Sequence, residues 1–254
     1  MEERRFRGAS NRKEWAFACG CKNLEPEVPV NLLILGRGKT GSLVAEVARH
    51  RQHDVRVLGA SDNPRGSSLA ACLSQIDTVI DFTTPTAVLD SLPACIRAGK
   101  NVVVGTTGWY SELPGIRKLV TENQTGFLYG SNFSIGVNLF FDIARTAAAA
   151  LKHGYNGQIF ERHHAQKKDA PSGTAVTLQK TITESSGTEL EIISFREGDV
   201  VGMHEIVFDS SNDDIYLCHD AKSRSGFAEG AVRAAEWLVG KKGFFDFKDV
   251  WPQI

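Results

Sequence analysis

The chain has 254 residues, of which 42% are hydrophobic and 23% charged, and its formal net charge at pH 7 is −1. This composition predicts a globular protein with one large domain or two modest ones. Because the charge is balanced and no apolar run reaches the roughly 20 residues that span a bilayer, we expect neither a nucleic-acid-binding protein nor a membrane protein. An odd number of cysteines, five, without a secretory signal predicts free thiols in a reducing compartment, the cytoplasm.

The first 30 residues differ from the rest of the chain. They mix charges, show no periodicity and contain two prolines near their end. Their five glutamates are unlike the acid-poor composition of transit peptides. We predict that residues 1–30 are a disordered extension or follow from a start codon placed too early, with an organellar signal as the weaker alternative.

Strand and helix patterns alternate from Val30 onward. Short apolar runs predict strands, and apolar residues at helical spacing predict the helices between them. The predicted strands are 30–35, 54–61, 77–83, 100–108 and 126–133, and the predicted helices are 42–50, 85–98 and 112–122. This alternation is typical of an α/β fold, and we predict a doubly wound, Rossmann-like parallel sheet.

From Gly136 the pattern changes to mostly consecutive strands. The predicted elements are a long helix at 137–153, strands at 158–164, 189–197, 202–210 and 213–220, a helix at 173–184 and a last helix at 227–240. This order predicts an inserted α+β domain with an antiparallel or mixed sheet. We place the dinucleotide-binding domain at 31–132 plus 223–254 and the inserted domain at 133–222.

A glycine-rich turn follows the first predicted strand and opens a helix. Its G-x-G-x-x-G spacing is that of a dinucleotide fingerprint, in which the backbone approaches a pyrophosphate at the helix N-terminus. The candidate cofactor-binding residues of this turn are Gly36, Arg37, Gly38, Lys39, Thr40 and Gly41. A tight strand–helix turn without a ligand is the structural alternative.

Asp62 lies about twenty residues beyond the turn, where an acid in this fingerprint binds the ribose 2′-hydroxyl of NAD. Arg37, Lys39 and Arg65 are near enough in sequence to bind the 2′-phosphate of NADP instead. Asp62 could also simply begin a turn. The choice between NADH and NADPH therefore stays open.

Two further polar segments follow later strands, where ligands of parallel sheets bind beyond the carboxyl ends. We predict that both contact the nicotinamide or its ribose. They comprise Gly105, Thr106 and Thr107, and Gly130, Ser131, Asn132 and Phe133.

The segment 161–175 reads ERHHAQKKDAPSGTA and crowds proton carriers beside a helix start. Since His163 and His164 end a strand, we expect their side chains to point to opposite sides, which disfavours a metal site. Ser172 or Thr174 can cap the helix, and this segment could be no more than a well-capped helix. Its exposed N–H groups beside Lys167, Lys168 and the two imidazoles also suit a carboxylate ligand.

The string E-x-H-H-x-x-K-x-D-A-P-S-G-T-A resembles the signature of the 4-hydroxy-tetrahydrodipicolinate reductase (dihydrodipicolinate reductase) family. The resemblance extends from about Asn31 to Val250, through GTTGW, GSNFSIGVN and SRSGFAEGAVRAAEWL. It implies that His163 is the acid/base histidine and Lys167 the proton donor. It also implies that the substrate's carboxylates are bound by His164, Ser172, Gly173 and Thr174.

The resemblance implies NADH- or NADPH-dependent reduction of a cyclic imine dicarboxylate, with loss of its 4-hydroxyl as water. It further implies a homotetramer built through the sheets of the inserted domain. The segment Asn63–Ile76 and the glycine turn are shorter than is usual in the family, and both lie near the adenosine ribose. The alternatives are another two-domain nicotinamide oxidoreductase and a regulator that binds NAD(H) without turnover.

Overall fold

The computed structural model describes residues 28–62 and 69–254. Most of the predicted disordered extension, and Arg65, lie outside the described residues. A parallel sheet of six strands organises the first domain. Its strands are β1 Asn31–Leu35, β2 Asp54–Leu58, β3 Thr78–Asp81, β4 Asn101–Val104, β5 Gly126–Tyr129 and β10 Gly243–Asp246. They lie in the order β10-β5-β4-β3-β1-β2.

Helices cover both faces of this sheet, which explains why β1 is a continuous apolar run. The helices are α1 Lys39–His50, α2 Leu69–Cys72, α3 Pro85–Arg97, α4 Leu113–Asn123 and α7 Ser225–Leu238. Leu32 and Ile34 belong to the core under α1 and α7, whereas Leu33 and Leu35 belong to the core under α2, α3 and α4. The predicted doubly wound fold is confirmed.

A second sheet of four strands, in the order β7-β6-β8-β9, follows α5. The elements are α5 Ile135–Ala147, β6 Asn156–His163, α6 Gly173–Ser186, β7 Glu191–Arg196, β8 Met203–Asp209 and β9 Asp214–Asp220. β6 and β7 are parallel because α6 crosses between them, while β8 and β9 are antiparallel to their neighbours. Helices α5 and α6 pack on one face around Ile159, Ile206 and Phe208.

The chain then returns to the first sheet. α7 packs against α1, and β10 pairs in parallel with β5 at the sheet edge. The return of α7 was predicted from the sequence, whereas β10 and the short helix α8, Phe247–Val250, were not. β10 is only four residues long, and two of its residues are the aromatic pair Phe244 and Phe245. Across residues 28–62 and 69–254, no helix has both the length and the hydropathy needed to cross a bilayer.

Two predicted elements have different ends in the structure. The long helix predicted at 137–153 begins at Ile135 and changes to a tighter 3-10 turn after Ala147. Gly154, with φ +85°, ends it because the left-handed conformation suits glycine. The shortened segment before Ile76 contains α2 in its described part.

A partly buried ionic network links the returning helix α7 to the end of α1. The Glu236 carboxylate accepts hydrogen bonds from Arg51 Nε at 2.8 Å and from His53 Nε2 at 2.7 Å. His53 Nδ1 in turn accepts from the Val30 amide at 3.1 Å, which leaves the ring proton on Nε2. Burial acts to raise the pKa of Glu236, but the hydrogen bonds from His53 and Arg51 outweigh it and lower this pKa.

We expect Glu236→Gln to lower the free energy of unfolding at neutral pH by about 2 kcal/mol, because it replaces the charged acceptor shared by Arg51 and the buried His53 ring with a neutral amide. Since the folded-state pKa of Glu236 is lowered, its contribution is present above the unfolded pKa and is lost on acidification. Urea titrations at several pH values should therefore show the two proteins converging in acid. Glu229→Gln, at the more exposed contact with Arg51, is the control; an equal loss in both variants would contradict the prediction.

Candidate active site

The glycine turn closes tightly on itself and on the neighbouring strand. Gly36 has φ +108°, and a Cβ there would lie 2.3 Å from the Phe82 carbonyl oxygen. A Cβ on Gly41 would lie 2.1 Å from the Gly36 oxygen. Only glycine therefore fits at these two positions, whereas the space around Gly38 is open.

The N-terminus of α1 fits a pyrophosphate. Gly38 is its N-cap, and no side chain caps the helix. The amide N–H groups of Lys39, Thr40 and Gly41 in the first turn have no intrahelical acceptor and can bind an anion. A cavity of about 340 Å³ beside this turn is lined by Gly36, Arg37 and Gly38.

Arg37, which lines this cavity, is paired with Asp62. Arg37 Nη2 lies 2.9 Å from Asp62 Oδ2, which also accepts a hydrogen bond from the Gly59 amide at 3.0 Å. The structure thus pairs Asp62, the residue predicted to favour NAD, with Arg37, one of the residues predicted to favour NADP. Lys39 is exposed on the same turn.

Hydrogen bonds between Thr106 and neighbouring residues hold the segment Gly105–Thr107 in place. The Thr106 hydroxyl donates to Asp81 Oδ1 at 3.0 Å and accepts from the Thr83 amide at 2.8 Å, so this side chain is turned into the protein. Trp109 Nε1 donates to the Thr106 carbonyl at 2.7 Å. Thr107, in contrast, is exposed and lines the central cavity described below.

Cavities run along the carboxyl edge of the first sheet toward the second domain. Phe82 lines both the cavity beside the glycine turn and a neighbouring one of about 250 Å³, which is also lined by Thr40 and Gly105. Five further residues line this neighbouring cavity, namely Ser131, Asn132, Phe133, Arg224 and Phe227. Gly130, the remaining residue of this predicted segment, is buried and lines a separate cavity.

The central cavity, of about 560 Å³, lies between the two domains. Thr107, Ser131 and Asn132 of the first domain line one side. The predicted catalytic and substrate-binding residues line the other, namely His163, His164, Lys167, Ser172, Gly173 and Thr174. The two predicted half-sites therefore share one cavity.

His163 and His164 both line this cavity, contrary to the expectation that they point apart. β6 ends at His163, so the alternation of strand side chains does not extend to His164. His163 is buried, whereas His164 is half-buried.

Helix α6 starts with its amides toward the cavity. The Ser172 hydroxyl caps the helix by accepting from the Ala175 amide at 3.2 Å, as predicted. Gly173 is exposed and no protein atom lies within 4 Å of a Cβ placed on it. Lys167 Nζ is held nearby by Asp169, at 2.8 and 2.9 Å from the two carboxylate oxygens.

Glu161 lies beneath His163 and is fully buried. Its carboxylate accepts from His163 Nδ1 and from Arg196 Nη2, the latter at 2.7 Å. Burial acts to raise the pKa of Glu161, but hydrogen bonds from Arg196, Ser194 and His163 prevail and lower it to about 2. The pKa of His163 is lowered, because burial outweighs the opposing effect of Glu161.

His204 is buried against His163, with ring centroids 5.2 Å apart. Its Nε2 lies 3.0 Å from the Ser172 hydroxyl, and burial lowers its pKa to about 4. Ligand atoms of Glu161, His163 and His204 lie within 4.8 Å of one another, a spacing that a metal ion could use. The Arg196 guanidinium already neutralises Glu161 there. The absence of a metal stays a prediction.

Comparison with known proteins gives the family. Residues 30–133 match the family model "Dihydrodipicolinate reductase, N-terminus", and residues 136–251 match "Dihydrodipicolinate reductase, C-terminus". The chain belongs to the dihydrodipicolinate reductase family. The resemblance identified from the sequence is confirmed.

Curated relatives in this family support the assignment along most of the chain. The 4-hydroxy-tetrahydrodipicolinate reductase of Christiangramia forsetii is 37% identical over 239 residues, 89% of this chain and 99% of the relative. The enzyme of the same name from Ralstonia pickettii is 40% identical over 200 residues, 71% of this chain and 76% of the relative.

A solved structure shares the fold. It is the dipicolinate-bound dihydrodipicolinate reductase from Paenisporosarcina sp. TG-14, with a TM-score of 0.74 and 24% sequence identity. The alignment covers 88% of this chain and 100% of that chain.

Several polar residues of the site were given no role in the predictions from the sequence. They are Asp81, Glu161, Asp169, Arg196, His204 and Arg224. Glu161 could have been found from its spacing, since two residues before His163 on a strand is the same face. Arg196 and His204 could not, because their approach depends on how β6 pairs with β7 and β8.

Proposed function

We propose that the protein reduces 4-hydroxy-tetrahydrodipicolinate to tetrahydrodipicolinate with loss of water, using NADH or NADPH, in the diaminopimelate route to lysine. The observation that carries the proposal is the central cavity, where nucleotide-side turns face an anion pocket with proton carriers. When bound, a reduced nicotinamide nucleotide would supply the hydride. The protein supplies orientation, charge and protons.

The anion pocket fits a dicarboxylate. The Gly173 and Thr174 amides at the start of α6 can bind one carboxylate, as free N–H groups at helix N-termini do. Lys167 and Arg224 line the same cavity and can neutralise the second. His164 also lines this cavity and can donate a further hydrogen bond.

Two groups can move protons. Lys167 is paired with the Asp169 carboxylate. Because Asp169 is exposed, a carboxylate of the substrate can replace it as the partner of Lys167. His163 has a lowered pKa and is neutral in the resting protein at neutral pH, so one of its ring nitrogens can accept a proton.

The proposal is tested by steady-state assays with enzymatically generated 4-hydroxy-tetrahydrodipicolinate and either NADH or NADPH. Substrate-dependent oxidation of the nucleotide, with tetrahydrodipicolinate as the product, is the expected result. Nucleotide binding without turnover would favour the sensor alternative. Turnover only with another member of a panel of sugars and amino acids would favour a different oxidoreductase.

We further propose that the enzyme accepts both nucleotides with little discrimination. In the Arg37–Asp62 pair, Asp62 can accept a hydrogen bond from a ribose hydroxyl of NADH, while Arg37 can form an ion pair with the 2′-phosphate of NADPH. The Arg37 side chain is 57% exposed, so its pairing with Asp62 is weak enough to open.

Accordingly, Arg37→Gln should weaken NADPH binding by about ten-fold and change NADH binding little, because it removes one charge-assisted contact. Fluorescence titration of both nucleotides measures this selectivity. Arg56→Gln removes a positive charge from neighbouring strand β2 and should leave both affinities unchanged. Equal weakening of NADH and NADPH by Arg37→Gln would contradict the role.

We also propose a homotetramer that buries the open face of the second sheet. α5 and α6 cover the opposite face, whereas this one carries a depression of about 730 Å³ whose lining mixes apolar side chains, such as Phe160 and Val207, with charged ones, such as Arg162 and Glu205. Phe195 and Tyr216 on it are 39% and 62% exposed. Apolar residues exposed in one patch on a sheet are typical of an interface.

Light scattering should give about four times the 27.7 kDa chain mass. Val207→Glu, which places a charge in the depression between Glu205 and Asp209, should reduce the mass while leaving the circular dichroism spectrum unchanged. Val239→Glu is a matched control at an exposed position on the first domain. A monomeric unaltered protein would rule the tetramer out.

A cytoplasmic location and the domain boundaries 31–132 plus 223–254 and 133–222 complete the proposal. The cysteines in the described part of the chain, Cys72, Cys95 and Cys218, are free thiols, in keeping with a reducing compartment. The pairing of β10 with β5 supports a split first domain.

A further inference from the structure

Glu161 is a buried carboxylate beside a pocket for a dianion, and this placement needs a physical reason. It lies two residues before His163 on β6, so both side chains point to the same face. It is fully buried, and a buried charge is tolerated only when it is paired and hydrogen-bonded.

The two oxygens of Glu161 have separate partners on three elements. Oε2 accepts from His163 Nδ1. Oε1 accepts from Arg196 Nη2 at 2.7 Å and from the Ser172 amide at 3.3 Å. Arg196 reaches it because β7 pairs in register with β6, with Arg196 opposite His163. Strand β7 and the start of α6 are thus tied to one carboxylate.

The contact with Oε2 determines which nitrogen of His163 can react. An ionised carboxylate only accepts hydrogen bonds, so Nδ1 carries the proton and Nε2 has a free lone pair. Nε2 lies at the cavity wall beside Gly202, where a Cβ would be 3.0 Å away. The other charged or titratable groups around this ring are Lys167 on the loop, Arg196 on β7 and His204 on β8.

The contacts of Oε1 hold the anion pocket. Ser172 is the N-cap of α6, and its hydroxyl also meets His204 Nε2 at 3.0 Å. A bond from its amide to Glu161 fixes where the Gly173 and Thr174 amides lie relative to the imidazole. The same residue therefore sets the positions of the proton acceptor and of the substrate's carboxylate.

We propose that Glu161 is a positioning residue: it presents His163 to the substrate with Nε2 unprotonated and keeps this nitrogen in register with the helix start that binds the substrate. This inference rests on the proposed function for the identity of the substrate and for the kinetic consequence, whereas the ring proton of His163 does not depend on it.

The test is Glu161→Gln, studied in the full-length protein. A glutamine can keep an oxygen toward Arg196 and Ser172 but donates its NH₂ to His163 Nδ1, which moves the ring proton to Nε2. We expect kcat to fall by roughly 10²-fold or more. We expect the affinity for dipicolinate, measured by calorimetry, to stay within about three-fold, because the helix start is still held. Glu191→Gln, exposed on β7, should leave both unchanged.

The ring proton itself is read by ¹H–¹⁵N spectra of the histidines at mildly alkaline pH, with His163 assigned from the signal lost in His163→Gln. The unaltered protein should carry the proton on Nδ1 and Glu161→Gln should carry it on Nε2. A proton on Nε2 in the unaltered protein would overturn the inference, even if the variant failed to fold. So would loss of dipicolinate affinity in Glu161→Gln without a change of tautomer.

An unaltered protein that bound nucleotide without turnover would contradict the proposed function, whereas the tautomer and the dipicolinate affinity would still test the role of Glu161.

Discussion

Lys167→Ala and His163→Ala are each expected to lower kcat by roughly 10²–10⁴-fold, the usual contribution of a positioned proton donor or acceptor. Both residues line the central cavity on the side of the anion pocket. Lys167→Ala removes a charged donor that Asp169 holds, and His163→Ala removes the imidazole that Glu161 holds. Steady-state assays measure turnover, and nucleotide titrations on the same samples measure nucleotide binding. Nucleotide binding should be unchanged.

The matched control is Lys168→Ala. Lys168 is exposed beside Lys167 and does not line the cavity, so its loss should change kcat little. If Lys167→Ala and His163→Ala both kept near-normal turnover, the proposed catalytic residues would be wrong. If they weakened nucleotide binding as much as turnover, the separation between the two half-sites would be wrong.

The second large effect is expected from two alanine substitutions in the glycine turn that act in different ways. Gly41→Ala would place a Cβ 2.1 Å from the Gly36 carbonyl oxygen, so the turn must open. We expect a loss of about 3 kcal/mol or more in the free energy of unfolding. Gly38→Ala meets no protein atom within 4 Å and sits at φ −71°, which alanine adopts without strain.

Gly38→Ala should therefore keep its thermal stability and bind NADH about ten-fold or more weakly, because the added methyl group occupies the phosphate side of the turn. Differential scanning calorimetry and nucleotide titration on the same samples distinguish the two substitutions. Gly115→Ala, in α4 with open space around it, is the control and should leave nucleotide affinity unchanged. Unaltered NADH affinity in Gly38→Ala would show that no phosphate lies at this turn.

The apolar runs and glycine spacing of the first domain were sufficient to predict its fold. Leu32 to Leu35 are continuously apolar because helices cover both faces of β1, and this pattern can be recognised in the sequence alone. Strand β10 was missed because four residues near the end of the chain carry too little periodic signal; its place depends on pairing with β5.

The opposite-sides expectation for His163 and His164 was wrong for a related reason. It assumed that strand geometry extends through His164, whereas β6 ends one residue earlier. His163 is the last residue of β6 that pairs with β7, opposite Arg196, so the position of His164 depends on the loop that follows.

By itself, the sequence determined the alternation of strands and helices, the turn that fits a pyrophosphate, the capped helix start and the candidate proton carriers. These are local properties, written in residues that are close along the chain. Tertiary structure alone decided that Thr107 and Lys167 share one cavity, that Arg37 pairs with Asp62, and that Arg196 neutralises Glu161. Such contacts join residues far apart in the chain, and they exist only once strand pairing and helix packing have fixed the distances between them.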